Sequence, residues 1–146
     1  MEKISEIPSG VSLTLLANTP APVENVPISA IATSNSKVWR SSNNYLTIIS
    51  EATSRPATGT DVAVFSVITG FVQAEVSNPN HTFYFNGVNW DLVQINTAMA
   101  LGDSGSPMTN ASGNQILGIL KGADSSNTDF SPWDAVDSRF GGLNLH

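Results

Sequence analysis

The string Gly102-Asp103-Ser104-Gly105-Ser106-Pro107 gathers the residue types that acyl transfer needs. A serine hydroxyl works as a nucleophile when a tight loop projects it and nearby backbone N–H groups meet where a tetrahedral oxyanion will form. Gly102 allows an approach free of a side chain, so its N–H and that of Ser104 can make the donor pair. Gly105 relaxes the backbone after the serine, and Pro107 opens the next strand. Asp103 needs partners, because an unpaired buried carboxylate costs several kcal/mol. The same residue types also build ordinary polar turns. The meaning of the hexamer therefore depends on its flanks.

The elements that must position this loop read as short strands. Val11–Leu16 alternates weakly, and Val26–Ile31 is a second short apolar stretch. Tyr45–Ile49 is a clear strand. Residues 50–60 are small, polar and interrupted by Pro and Gly, which marks a linker. Beyond it, strand signals recur every ~8–12 residues, the spacing of an antiparallel barrel or sandwich. They fall at Val62–Phe65, Phe71–Val76, Thr82–Phe85, Trp90–Ile95, Ser106–Thr109 and Gln115–Leu120. Asn86-Gly87 supplies the positive φ angles of a type I′ hairpin turn. Ser131–Phe140 has a helical pattern. Ser131 is its cap, Pro132 its first residue, Asp134 lies early and Arg139 late, and Gly141-Gly142 ends it. Trp133, Val136 and Phe140 share one face. The expected class is all-β, with one C-terminal helix.

Composition narrows the possible partners. Of the 146 residues, 12% are charged, about half the ~25% usual in soluble chains. The net charge is −6, and the six cations (Lys3, Lys37, Arg40, Arg55, Lys121, Arg139) are scattered. Such a surface repels phosphate backbones, so neither nucleic acid nor an anionic membrane is the expected partner. There is no cysteine, which removes disulfides, thiolate chemistry and Cys-based zinc sites. No apolar run approaches the ~20 residues of a membrane helix. The first twenty residues make no clear signal peptide, and the composition suits an extracellular or viral protein.

The flanks carry a resemblance. Gly59-Thr60-Asp61-Val62, then Thr69-Gly70-Phe71-Val72-Gln73-Ala74-Glu75-Val76, look like the opening of the second barrel in chymotrypsin-like serine proteases. Leu92–Thr97 resembles the strand leading to the nucleophile, and Ile116–Leu120 the strand after it. Phe130-Ser131-Pro132 plus helix resembles the closing segment of the bacterial, streptogrisin-like branch; a viral member is the other candidate. The resemblance spans residues 59–142. It implies a second barrel with its C-terminal helix at 59–146, and partial first-barrel strands plus linker at 1–58.

By that resemblance Ser104 is the nucleophile of a serine endopeptidase acting on a peptide or protein substrate. Gly102 and Ser104 give the oxyanion donors, and Asp103 holds the loop through a cation or N–H groups. Ala98 lies at the base of the specificity pocket, which favours a small or apolar substrate side chain. Lys121, Gly122 and Ala123 form the edge that pairs with the substrate backbone. No metal or organic cofactor is implied.

The general base is where the pattern departs. The family draws a histidine, then an aspartate, from its first barrel, and residues 1–58 are too few for a whole one. Asn43-Asn44-Tyr45 resembles the family's Asn-Asp-Tyr, so Asn44 stands where the orienting Asp belongs. The two histidines are misplaced: His81 falls in a predicted hairpin turn and His146 is the last residue. The chain begins Met1-Glu2-Lys3, with no cleavage sequence of the animal type. An upstream or separate chain would complete the first barrel and bring the histidine. Two other readings stay open: a pseudoprotease that binds without cutting, and a structural viral or surface β-protein.

Overall fold

A computed structural model describes residues 14–15, 31–32, 37–41 and 44–140. Side chains before Thr47, and those of Phe83, Phe85 and Phe140, lie outside this description, as do Gly141-Gly142 and His146.

Two short antiparallel pairs come first: β1 (Thr14–Leu15) with β2 (Ile31–Ala32), and β3 (Lys37–Ser41) with β4 (Asn44–Thr47). The main sheet holds β5 (Ser50–Glu51), β6 (Asp61–Phe65), β7 (Phe71–Phe85), β8 (Val88–Ile95), β9 (Pro107–Asn110), β10 (Gln115–Ala123) and β11 (Thr128–Pro132). One helix, α1 (Trp133–Phe140), follows.

The sheet closes on itself. Its order is β11-β8-β7-β6-β9-β10, and β11 also pairs with β10. Phe130 sits opposite Val93 on one side and Leu120 on the other. All six neighbours are antiparallel, so this is a barrel whose closure removes most free edges. Two stacked sheets, the arrangement that would favour the structural-protein reading, are not formed. β5 adds in parallel to the start of β10, beyond the point where β11 ends.

Alternation sets the interior. Val62, Val64, Val76, Val93, Ile95, Met108, Leu117, Leu120 and Phe130 fill it, each contributing about 1.5–3 kcal/mol of burial. On the outside of β10, Ile116 and Ile119 meet Trp133 and Val136 of α1. The helix therefore covers an apolar stripe that a bare barrel would expose.

Several elements match their sequence signals and others shift. Asn86 (φ 52°) and Gly87 (φ 78°) make the predicted tight turn. The predicted strands at Phe71–Val76 and Thr82–Phe85 are one strand, β7. Asn78-Pro79-Asn80-His81 is therefore not a hairpin turn. It lies within β7, where the register slips between Val76, Asn78 and His81. Pro79 has no N–H for the ladder, which explains a bulge there. α1 starts at Trp133, one residue after the expected first helical residue Pro132, because Ser131 and Pro132 pair with Ile119 and Gly118.

The predicted linker is tied down. Ala52 N–H donates to Ile116 O at 2.9 Å. The Arg55 guanidinium grips Asp91 of β8 with two bonds of 2.7 Å and reaches Pro79 O at 3.3 Å. Arg55→Met should lower stability by about 1 kcal/mol, the upper range for a partly exposed pair with good geometry. The urea midpoint should fall accordingly, and the difference should shrink in ~1 M salt.

Candidate active site

The 102–106 loop joins β8 to β9 and is held at both ends. Asp103 N–H donates to Ala100 O at 3.2 Å, and Ser106 N–H to Asp103 O at 3.0 Å. Gly105 N–H donates to Leu120 O at 2.9 Å, and Leu120 N–H to Ser106 O at 2.8 Å. Gly102 and Gly105 have φ of 98° and 91°, values that cost a residue with a Cβ. A Cβ on Gly102 would also lie 2.6 Å from Ile68 Cδ1. Ser104 between them is exposed. Among the described residues, no acceptor takes the N–H of Gly102 or of Ser104.

Asp103 is 1% exposed. Its carboxylate accepts from Ile68 N–H at 2.9 Å, from Thr69 N–H at 3.3 Å, from Ala100 N–H at 3.2 Å and from the Thr69 hydroxyl. Burial alone would raise its pKa. The bonds from the Thr69 hydroxyl, Ile68 N–H, Ser66 and Thr69 N–H outweigh that, and the carboxyl stays below the ordinary Asp value. The loop is thus clamped by N–H and O–H donors from the β6–β7 turn. That turn is itself closed by Ser66 N–H to Gly70 O at 3.0 Å. Thr69 belongs to this clamp, a role that its place in the sequence does not signal. Its Thr-Gly turn is a common string and carries no sign of the carboxylate it holds.

The edge expected to receive a substrate lies beside this loop. The β9–β10 ladder ends at Ile119 opposite Pro107. Past it, Gly122 and Ala123 pair only with Asp129 and Thr128 on the β11 side. The other edge of Lys121–Ala123 is open among the described residues, and Leu120 ties its start to Gly105 and Ser106. Lys121 Nζ lies 4.8 Å from the Trp90 ring centre. Burial lowers its pKa from the usual value. Ala98 is exposed next to Thr97, whose carbonyl accepts from Thr128 Oγ1 at 2.6 Å.

His81 does not join this group. His81 lies on β7 opposite Leu92. Its Nδ1 is 2.9 Å from Asp129 Oδ1, and Gln94 Nε2 is 3.2 Å from the same oxygen. No hydrogen bond joins His81 to the 102–106 loop. His146 lies outside the described residues. Asn44 opens β4 opposite Ser41, and its side chain is outside them as well.

No sequence-family model matches the chain, and no curated protein matches it by sequence. Solved structures do match. A chymotrypsin from Cellulomonas bogoriensis is 18% identical with a TM-score of 0.67, over 80% of this chain and 67% of that one. Protease A of Thermobifida fusca is 24% identical with a TM-score of 0.67, over 80% and 66%. A Nocardiopsis protease is 17% identical with a TM-score of 0.63, over 76% and 63%. The chain therefore spans about two thirds of these enzymes. At such identities the likeness is one of fold: the described chain has the β-barrel architecture of the bacterial chymotrypsin-like serine proteases.

Proposed function

We propose that this chain carries the nucleophile-bearing part of a serine endopeptidase. Residues 59–146 are its second barrel, and 1–58 contribute part of a first. One observation carries the reading: two unspent N–H groups, of Gly102 and Ser104, beside an exposed Ser104 in a loop that Asp103 clamps. In this mechanism a substrate strand pairs with the open edge at Lys121–Ala123, and a small or apolar side chain enters above Ala98. Ser104 Oγ attacks the carbonyl carbon while a histidine takes the hydroxyl proton. The oxyanion accepts from Gly102 and Ser104 N–H. The amine leaves with that proton, and water later frees the acyl group from Ser104.

The histidine comes from polypeptide outside the described residues, in a longer precursor or a separate chain that completes the first barrel. Asn44 in the orienting position favours the wrong imidazole tautomer and lowers turnover by about 10⁴. The engagement of His81 with Asp129 and Gln94 favours a second reading, a binding module that keeps the cleft without the base.

A fluorophosphonate probe separates the two. Under the endopeptidase reading, the protein together with its completing chain becomes labelled on Ser104, and Ser104→Ala abolishes the adduct. A folded assembly that stays unlabelled over hours would discard acyl transfer and leave the binding module.

A further inference from the structure

Lys121 has a side chain with no assigned task. The endopeptidase reading uses its backbone, as part of the edge that receives the substrate. Its ammonium lies against the face of Trp90 on β8, a contact worth about 0.5–1 kcal/mol where solvent still reaches. Trp90 sits an odd number of residues before Val93 and Ile95, which fill the barrel, so it lies on the opposite, outer face of β8.

This cation has no carboxylate partner among the described residues, in a chain with 12 acidic and 6 basic residues. Arg55, by contrast, is neutralised by Asp91. The two acidic side chains nearest to Lys121 along the strand pair are spent elsewhere. Asp124 Oδ1 takes the N–H groups of Ser126 and Asn127, both at 2.7 Å. Asp129 Oδ1 faces His81 and Gln94. Both lie towards the β10–β11 turn, so the Lys121 end of the edge is where an incoming anion meets least repulsion. Half-buried and unpaired, the ammonium sits below its usual pKa because of desolvation. A carboxylate arriving there would gain a charge-assisted bond that water now supplies only in part.

Resting on the endopeptidase-like cleft reading, we propose that Lys121 and Trp90 form a subsite for an acidic substrate side chain, N-terminal to the residue that fills the pocket. In an extended chain successive side chains alternate faces. The residue above Ala98 points into the barrel pocket. The residues one and three positions before it point to the other face, and it is there that we place the contact with Lys121 and the outer-face Trp90.

Peptide binding tests this without requiring turnover. The full chain with Ser104→Ala would be titrated with fluorescent acetylated peptides that carry alanine for the pocket. They would differ only by Glu or Gln at one of those two positions. The Glu peptide should bind about tenfold more tightly at low salt, and the ratio should shrink as salt rises. Lys121→Met should bring the Glu-to-Gln ratio to one, while Lys121→Arg retains the preference. A thermal unfolding midpoint matching the parent shows that the Met variant is folded. A ratio of one in the parent, or a Glu preference that survives Lys121→Met, overturns the subsite. The cleft reading has its own readout: the Gln peptide should slow amide hydrogen exchange at residues 121–123. Absence of that protection overturns the edge assignment and the subsite with it. Protection with equal Glu and Gln affinities overturns the subsite alone.

Discussion

Asp103→Ala should cost about 2–4 kcal/mol of stability and, under the endopeptidase reading, abolish the fluorophosphonate labelling of Ser104 in the completed assembly. The carboxylate is the common acceptor for Ile68 N–H, Thr69 N–H, the Thr69 hydroxyl and Ala100 N–H. Each orphaned buried donor costs roughly 1–3 kcal/mol. Ile68 and Thr69 are exposed, so water relieves part of that loss and the total falls short of the sum. The geometric loss is larger. Without the carboxylate the tie between the β6–β7 turn and the 102–106 loop falls back on Ala100 N–H donating to the Thr69 hydroxyl at 3.1 Å, and Gly102, at φ 98°, is freer to leave the conformation that presents its N–H.

Asp103→Asn keeps the shape but turns one acceptor into a donor facing other donors, and should be nearly as damaging. Acid separates the two forms. The native carboxyl titrates below the ordinary ~3.9 of an unfolded Asp. A lowered native pKa gives stability that is complete above the unfolded value and is lost as pH falls through the native one. The parent's urea midpoint should therefore drop from about pH 4 downward, and the contribution of Asp103 to that drop should be missing in Asp103→Asn.

What the sequence made legible follows from how local each signal is. The Asn86-Gly87 turn, the strands at Val62–Phe65 and Trp90–Ile95 and the glycine-bracketed 102–106 loop are written in residues that touch along the chain. They stand as expected. Barrel closure rests on β11, in which Thr128 and Phe130 are the strand-favouring residues. Asp129 and Ser131 look like turn and cap residues, and their strand state is imposed by pairing with β10 and β8. β7 carries two separate strand signals because Pro79 is a local breaker. A bulge absorbs it, with Arg55 from a distant segment at its carbonyl. Asp103 could be singled out as needing partners, but Thr69 lies 34 positions away. Such a pairing is a property of the fold. His81 shows the same limit, since Gln94 and Asp129 come from two other strands.

Phe130→Ala is expected to cost about 3–5 kcal/mol, much of the ~5–15 kcal/mol that a domain of this kind has. The ring is 0% exposed and is the largest fully buried side chain among the described residues. It stands on the strand that closes the barrel, opposite Val93 of β8 and Leu120 of β10. The seam has little room to collapse around the void. At Gly118, across from Pro132, a Cβ would already meet Ser131 O at 2.6 Å and Phe130 Cβ at 3.4 Å, so backbone fills that side. Phe130→Leu keeps most of the volume and should lose less than about 1.5 kcal/mol. Urea unfolding of the two variants measures the difference. The consequence reaches the candidate site through one residue. Leu120 packs in the same interior as Phe130 and holds the 102–106 loop by Gly105 N–H and Ser106 O. Hydrogen exchange at the Gly105 and Leu120 amides should accelerate in Phe130→Ala by the same factor as global unfolding. Acceleration there in excess of the global factor would mean that the loop opens by itself, and that the closing strand does not set the rigidity of the site.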